Sequence, residues 1–242
     1  MKTYFIVADV HSFYDEMIAA LEREKFDINN PEHIFVSLGD LLDRGPKPVE
    51  CVRFVNSLPA ERKILIRGNH DDLLVEALTR GEFYVHDIRN RTHETIRAFT
   101  TEPYDEWMMC QEAKNNIELQ QYLNSLIDYY EDDKNVFVHG WIPCEKTSGD
   151  SLWLPIENWR NANWSQARWI NGMRAWHDGV RVQGKTIWCG HWHASYGHSI
   201  IEGLCHEFGD DAMFTPFEAD GIVAMDACTV YSGYVNCKTI SV

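Results

Sequence analysis

Asp9, His11, Asp40, Asn69, His139, His191 and His193 are nitrogen and oxygen donors that stand at or just past the end of a short apolar run. The runs are Tyr4–Ala8, Ile34–Gly39, Ile64–Gly68, Val136–Val138 and Thr186–Gly190. Imidazole mixed with carboxylate suits Mn, Fe, Zn or Co better than Ca, which takes oxygen ligands. Seven donors are more than one such ion needs. If Asp40 bridges, Asp9, His11, Asp40 and His193 serve one ion, and Asp40, Asn69, His139 and His191 serve the other. Two ions about 3.5–4 Å apart can acidify a shared water into a hydroxide nucleophile and clamp the oxygens of an in-line phosphoryl displacement. The chemistry this predicts is hydrolysis. A single residue of this kind is as readily a core histidine or a helix cap, and it is the repetition at five run ends that argues for metal.

Such donors need a frame. Runs of this length, rich in Val, Ile and Phe, read as buried strands, each delivering a donor at its C-terminal end. Asp9 and His11 are two apart, so both can point to one side of an extended strand end. Helical patterns separate the first three strands. Ser12 is placed to cap a helix, with Asp15 three residues on and Phe13, Met17, Ala20 and Leu21 on one face. Pro48 suits the first turn of a second helix carrying Val49, Val52 and Val55. Asp71 and Asp72 open a third over Leu73 to Leu78, and Gly81 closes it. Alternating strand and helix predicts an α/β sheet flanked by helices, with function at the strand ends.

Residues 82–135 are polar and helical in pattern, with Leu119, Tyr122, Leu123 and Leu126 as an apolar stripe, and read as an insertion beside the site. Residues 141–185 hold Trp153, Trp159, Trp164, Trp169 and Trp176. The spacing of Trp169, Met173 and Trp176 favours core packing on a helix over a substrate-stacking surface. Residues 221–230 and 233–242 read as a β-hairpin turning at Tyr231 and Ser232. With no repeat, low-complexity tract or linker, residues 1–242 are expected to form one domain.

Composition removes other classes. The chain has 242 residues and a formal net charge of −15, which counts against gripping the phosphates of long nucleic acids. It contains no apolar run of about 18 residues, so no membrane span is expected. MKTYFIVADVHSF lacks the pattern of a secretory signal, so a cytoplasmic location is expected. Cysteines 51, 110, 144, 189, 205, 228 and 237 are odd in number and include no CxxC pair, which fits neither a disulfide framework nor a thiolate zinc site.

The motifs DVH (9–11), GDLLDRG (39–45), RGNHD (67–71), VHG (138–140) and GHWH (190–193) resemble, in order, those of the calcineurin-like metallophosphoesterases. DRG is similar to the phosphoprotein-phosphatase branch, which includes bacterial serine/threonine phosphatases and symmetrical diadenosine tetraphosphatases. VAMDACTVYSGYVNCKTI (223–240) resembles that branch's closing hairpin. The resemblance implies a four-layer sandwich, two mixed β-sheets flanked by helices. It implies two divalent or transition metal ions, Mn in vitro with Fe or Zn as alternatives, and Asp40 as their bridge. It also implies His70 as the general acid, Asp43 as the partner that orients it, and Arg44 as a phosphate clamp, with Asn69 facing the substrate as well. Each role is chemically sound: an alkoxide leaving group needs a proton, a carboxylate fixes an imidazole's tautomer, and guanidinium matches phosphate bidentately. A second phosphate-binding arginine is expected between the fourth and fifth motifs, where Arg160, Arg168, Arg174 and Arg181 lie; Arg168 is favoured by its place among the tryptophans. Ala8 and Ser12 stand where the family usually has glycine.

The leading expectation is hydrolysis of phosphomonoesters, as in bacterial serine/threonine protein phosphatases, with a phosphorylated protein or small phosphoester as substrate. The alternatives are a dinucleoside polyphosphate hydrolase whose tryptophans stack on a base, and an inactive metal-binding scaffold.

Overall fold

The computed structural model describes residues 2–101, 105–147 and 152–242, so parts of the 82–135 and 141–185 segments lie outside the described residues. The first half alternates as the periodicity predicts: β1 (Thr3–Val7), α1 (Tyr14–Arg23), β2 (His33–Ser37), α2 (Pro48–Ser57), β3 (Lys63–Leu65) and α3 (Asn69–Arg80). Four helices follow, α4 (Val85–Arg89), α5 (Thr92–Ala98), α6 (Glu106–Lys114) and α7 (Ile117–Asn124). The second half holds β4 (Tyr130–Glu131), β5 (Asn135–Phe137), β6 (Cys144–Lys146), β7 (Trp153–Pro155), α8 (Gly172–His177) and β8 (Thr186–Cys189). It closes with β9 (Phe217–Ala219), β10 (Ile222–Ala224), α9 (Thr229–Ser232) and β11 (Cys237–Ser241).

Two mixed sheets stack face to face. The first runs β11-β1-β2-β3, with β11 antiparallel to β1 and the others parallel; the second runs β4-β5-β8-β10-β9, parallel at its centre and antiparallel at both edges. Period-2 alternation assigns the side chains. Tyr4, Ile6, Ala8, Val36 and Ile64 face Phe137, Trp188 and Val223 between the sheets. Phe5, Val7, Phe35 and Leu65 turn outward onto α1, α2, α3 and the insertion helices. Val136, Ile187, Cys189 and Ala224 turn outward onto the tryptophan-rich segment. The result is the four-layer sandwich, and burial on both faces is why these strands read as unbroken apolar runs.

Three local expectations are corrected. Ser12 does not cap α1: its φ is +60°, its hydroxyl is buried without a partner, and Phe13 takes the capping position. A left-handed backbone at Ser12 is one that glycine adopts more readily than serine. The tail is not a hairpin, because β10 pairs with β8 in one sheet and β11 with β1 in the other, with α9 in the crossing between them. Two β-rich segments in sequence do not say which sheet each joins. Last, Trp169 leaves the stripe of Met173 and Trp176: the chain is extended at Ile170, α8 starts only after Asn171, and Trp169 is 52% exposed. Met173, Trp159 and Trp164 are buried as core. The cysteines are free; Cys51, Cys110 and Cys189 are buried and the rest partly so.

Candidate metal centre

The strand ends of both sheets converge on Asp40. Its Oδ2 lies 3.9 Å from His11 Nε2, 3.3 Å from His139 Nε2 and 4.0 Å from His70 Nε2. Two donor groups result, His11–Asp40–His70 and Asp40–His139–His191, each with its donor atoms within 4.8 Å of one another. Asn69 lies on the second side, its Oδ1 2.8 Å from His139 Nε2 and 2.9 Å from His191 Nδ1. Asp9 adjoins it, its Oδ2 accepting the His191 backbone N–H at 2.9 Å. His193 is in neither group; its Nε2 meets Glu207 instead.

Backbone geometry makes this convergence possible. Asp9, His11, Ser12, Asp40, Asp43, Arg44 and His191 all have positive φ. Each bends sharply as its strand or turn ends, a strained conformation that the surrounding structure has to enforce. Two glycines allow the close approach: a Cβ on Gly68 would collide with Asp40 Oδ1, and one on Gly190 with Asp9 Oδ2. The N-terminal turn of α3 aims at the centre, the His70 N–H donating to Asp40 Oδ1 at 3.0 Å.

The donors fit cations. His11 Nδ1 bonds to the Leu42 carbonyl at 3.1 Å and His139 Nδ1 to the Leu38 carbonyl at 2.8 Å. A carbonyl can only accept, so both rings carry their proton on Nδ1 and turn a basic Nε2 toward Asp40. Charge is distributed as at a cation site. Burial opposes the charge on Asp40, but His139 and His70 hold its carboxyl well below the usual range. Burial and then Asp226 push Asp9 well above its usual range. Burial alone would lower His139, yet the Asp40 carboxylate lifts it to about 9, while burial and then the charge on His139 depress His191 to about 3.

Beside the donors lies a second constellation. His70 Nδ1 is 2.8 Å from Asp43 Oδ2, and Arg44 Nη2 donates to His70 Nε2 at 3.0 Å. Since guanidinium only donates, the ring proton is on Nδ1 and faces Asp43. Asp43 is fully buried, taking hydrogen bonds from Thr92 Oγ1 at 2.6 Å and Thr95 Oγ1 at 2.8 Å, both on α5. The insertion therefore cradles the carboxylate, a role for Thr92 and Thr95 that the sequence reading missed. Asp71 is held by Gly68 N–H and the Tyr122 hydroxyl, and burial raises it to about 6. Asp226 was also missed, although VAMD (223–226) repeats the pattern of an apolar run ending in a donor.

Arg168 does not point a free guanidinium into the centre. It donates to Asp72 Oδ2 at 2.7 Å and to Asp128, which ties the tryptophan-rich segment to α3. Two tryptophans border His191. Trp169 and Trp192, 52% and 36% exposed, lie with ring centroids 5.8 and 6.1 Å from the imidazole.

The fold agrees with comparison to known proteins. The calcineurin-like phosphoesterase family matches residues 2–224, and the chain belongs to that family. It is 48% identical over 71 residues to a symmetrical bis(5'-nucleosyl)-tetraphosphatase of Psychromonas ingrahamii, covering 29% of this chain and 24% of that protein. It is 38% identical over 82 residues to an asymmetrical bis(5'-nucleosyl)-tetraphosphatase of Bacillus subtilis, covering 31% and 34%. The chain thus matches only about a quarter to a third of these relatives' lengths. The cold-active protein-tyrosine phosphatase of a Shewanella species shares the fold at a TM-score of 0.56 and 16% identity, over 100% of this chain and 76% of that one. Among the described residues, no helix is long and apolar enough to cross a membrane.

Proposed function

We propose that the protein hydrolyses phosphate esters or anhydrides with two divalent or transition metal ions held by Asp9, His11, Asp40, Asn69, His139, His191 and His193. The observation that carries this reading is the Asp40 carboxylate shared by the two donor groups. When bound, such ions supply Lewis acidity toward the phosphoryl oxygens and lower the pKa of a water. The remaining steps belong to side chains. Arg44 binds the phosphate through its guanidinium and in doing so leaves His70 Nε2. His70, held through Nδ1 by Asp43, then takes up a proton from solvent at Nε2, the resulting imidazolium being balanced by the Asp43 carboxylate, and gives that proton to the leaving oxygen.

Two substrate classes compete. A phosphomonoester on a protein is one of the two substrate classes of the branch that the DRG motif resembles. A dinucleoside polyphosphate is favoured by Trp169 and Trp192, part-exposed rings beside His191 that can contact a flat base, and by the names of the relatives. Turnover of diadenosine tetraphosphate and of a phosphopeptide by Mn-loaded protein separates them. Preference for the dinucleotide, with its KM raised in Trp169→Ala, supports the second class, and preference for the phosphopeptide supports the first. If these, p-nitrophenyl phosphate and other phosphoesters are all left untouched by metal-loaded protein, the metal-binding scaffold gains.

A further inference from the structure

The DRG loop is held from two sides. From one, the Gly45 N–H donates to the His11 carbonyl at 2.8 Å and the Lys47 N–H to the Ser12 carbonyl at 3.0 Å. From the other comes the turn between α4 and α5. The Arg44 N–H donates to the Asn90 carbonyl at 3.1 Å, and Arg91 Nη1 donates to the Arg44 carbonyl at 2.9 Å. Both peptide units that flank the Arg44 Cα are therefore fixed by two adjacent residues of the insertion. Arg91 is fixed in turn: it stands at the N-cap of α5 with φ of +60°, and its Nε donates to Glu94 Oε2 at 2.9 Å. The same helix carries Thr92 and Thr95 to the Asp43 carboxylate.

Asp43 and Arg44 have φ of +72° and +63°. Side chains disfavour that region, so two such residues in succession persist only where the surroundings hold them. Asp43 is held through its carboxylate. Arg44 is held through its backbone, because its guanidinium, 3.0 Å from His70 Nε2, has to be free to move to phosphate. Turning the 44–45 peptide away would relieve the strain at Arg44 and swing its Cβ, and with it the guanidinium, off its present line. The hydrogen bond from Arg91 opposes that turn. We infer that Arg91 is a positioning residue for Arg44: it locks the left-handed backbone that aims the guanidinium, and it acts on phosphate only through Arg44. The inference rests on Arg44 being the phosphate clamp proposed above.

The test is the affinity of Mn-loaded protein for inorganic phosphate, measured by calorimetry, with kcat and KM for p-nitrophenyl phosphate, whose leaving group needs no proton from His70. Arg44→Ala weakens phosphate binding by about 10-fold or more, as expected for a charge-assisted contact. Arg91→Ala weakens it by about 2–10-fold, the worth of one hydrogen bond, and raises KM by a similar factor with kcat nearly level. Arg91→Lys keeps a donor and recovers most of the loss. The double variant binds phosphate no more weakly than Arg44→Ala alone, because the two residues act as one. Glu94→Gln removes the charge that holds Arg91, shifts affinity in the same direction, and carries the test should Arg91→Ala not fold. Losses that add in the double variant, or phosphate affinity unchanged in Arg91→Ala (in Glu94→Gln where the former does not fold), would overturn the inference and leave the clamp intact. Phosphate affinity unchanged in Arg44→Ala, or no phosphate bound by wild type, would overturn the clamp and the inference with it.

Discussion

His70 and Asp43 form a buried pair, Nδ1 to Oδ2 at 2.8 Å, whose carboxylate is hydrogen-bonded from α5 and whose imidazole rides on the first turn of α3. Two helices, α3 carrying the ring and α5 holding its carboxylate partner, thus set one imidazole at the donor cluster.

That placement makes the need for His70 depend on the leaving group. His70→Ala lowers kcat/KM for an unactivated alkyl phosphate by about 10²–10⁴, and far less for p-nitrophenyl phosphate, whose phenolate leaves without a proton. Equal losses on both substrates would remove the general-acid role.

The cradle of Asp43 gives a second expectation. Thr95→Val keeps shape and removes one hydrogen bond to a buried carboxylate, costing on the order of 1–3 kcal/mol in stability. On the proposed general-acid role of His70, kcat falls while KM stays level. A change confined to KM would show that the pair binds substrate and does not set the acid.

Much of this was legible in the sequence, and what was missed has a physical reason. The five strands show in unbroken apolar runs because both faces of each sheet are covered. The donors show because each follows such a run. Thr92 and Thr95 were hidden because their helix meets Asp43 across 49 and 52 residues, and no local pattern encodes that contact. Trp169 was misplaced because a 3.6-residue period was read across Ile170 and Asn171, where the backbone is not helical. The tail was misjoined because alternation gives the face of a strand and leaves its sheet open.

Arg168 is the clearest shift from sequence to structure. With its guanidinium donating to Asp72 and Asp128, Arg168→Ala lowers stability by about 1 kcal/mol, both partners being partly exposed. Its effect on KM for any phosphoester is correspondingly small. Thermal melting and substrate saturation curves check the two together; unchanged stability with a large rise in KM would restore it as a phosphate clamp.

Acid stability offers a test away from the centre. Glu131 on β4 pairs with Arg160 at 2.6 Å and with Lys185 at 2.9 Å. The hydrogen bond from Arg160, reinforced by Lys185, lowers its carboxyl from 4.5 to about 2. A depressed folded-state value stabilises above the unfolded one, so the contribution is complete above about 4.5 and is lost as pH falls toward about 2. Glu131→Gln is therefore less stable than wild type at neutral pH by on the order of 1 kcal/mol or less, and the gap narrows through that window. A gap that is constant with pH would mean that the charge of Glu131 contributes nothing.

The central claim is that one carboxylate serves two cations. Anomalous diffraction from crystals soaked in manganese tests it directly. The account predicts two peaks about 3.5–4 Å apart with Asp40 between them, one toward His11 and the other toward His139 and His191. A single peak, or two peaks of which one has no contact with Asp40, would contradict it.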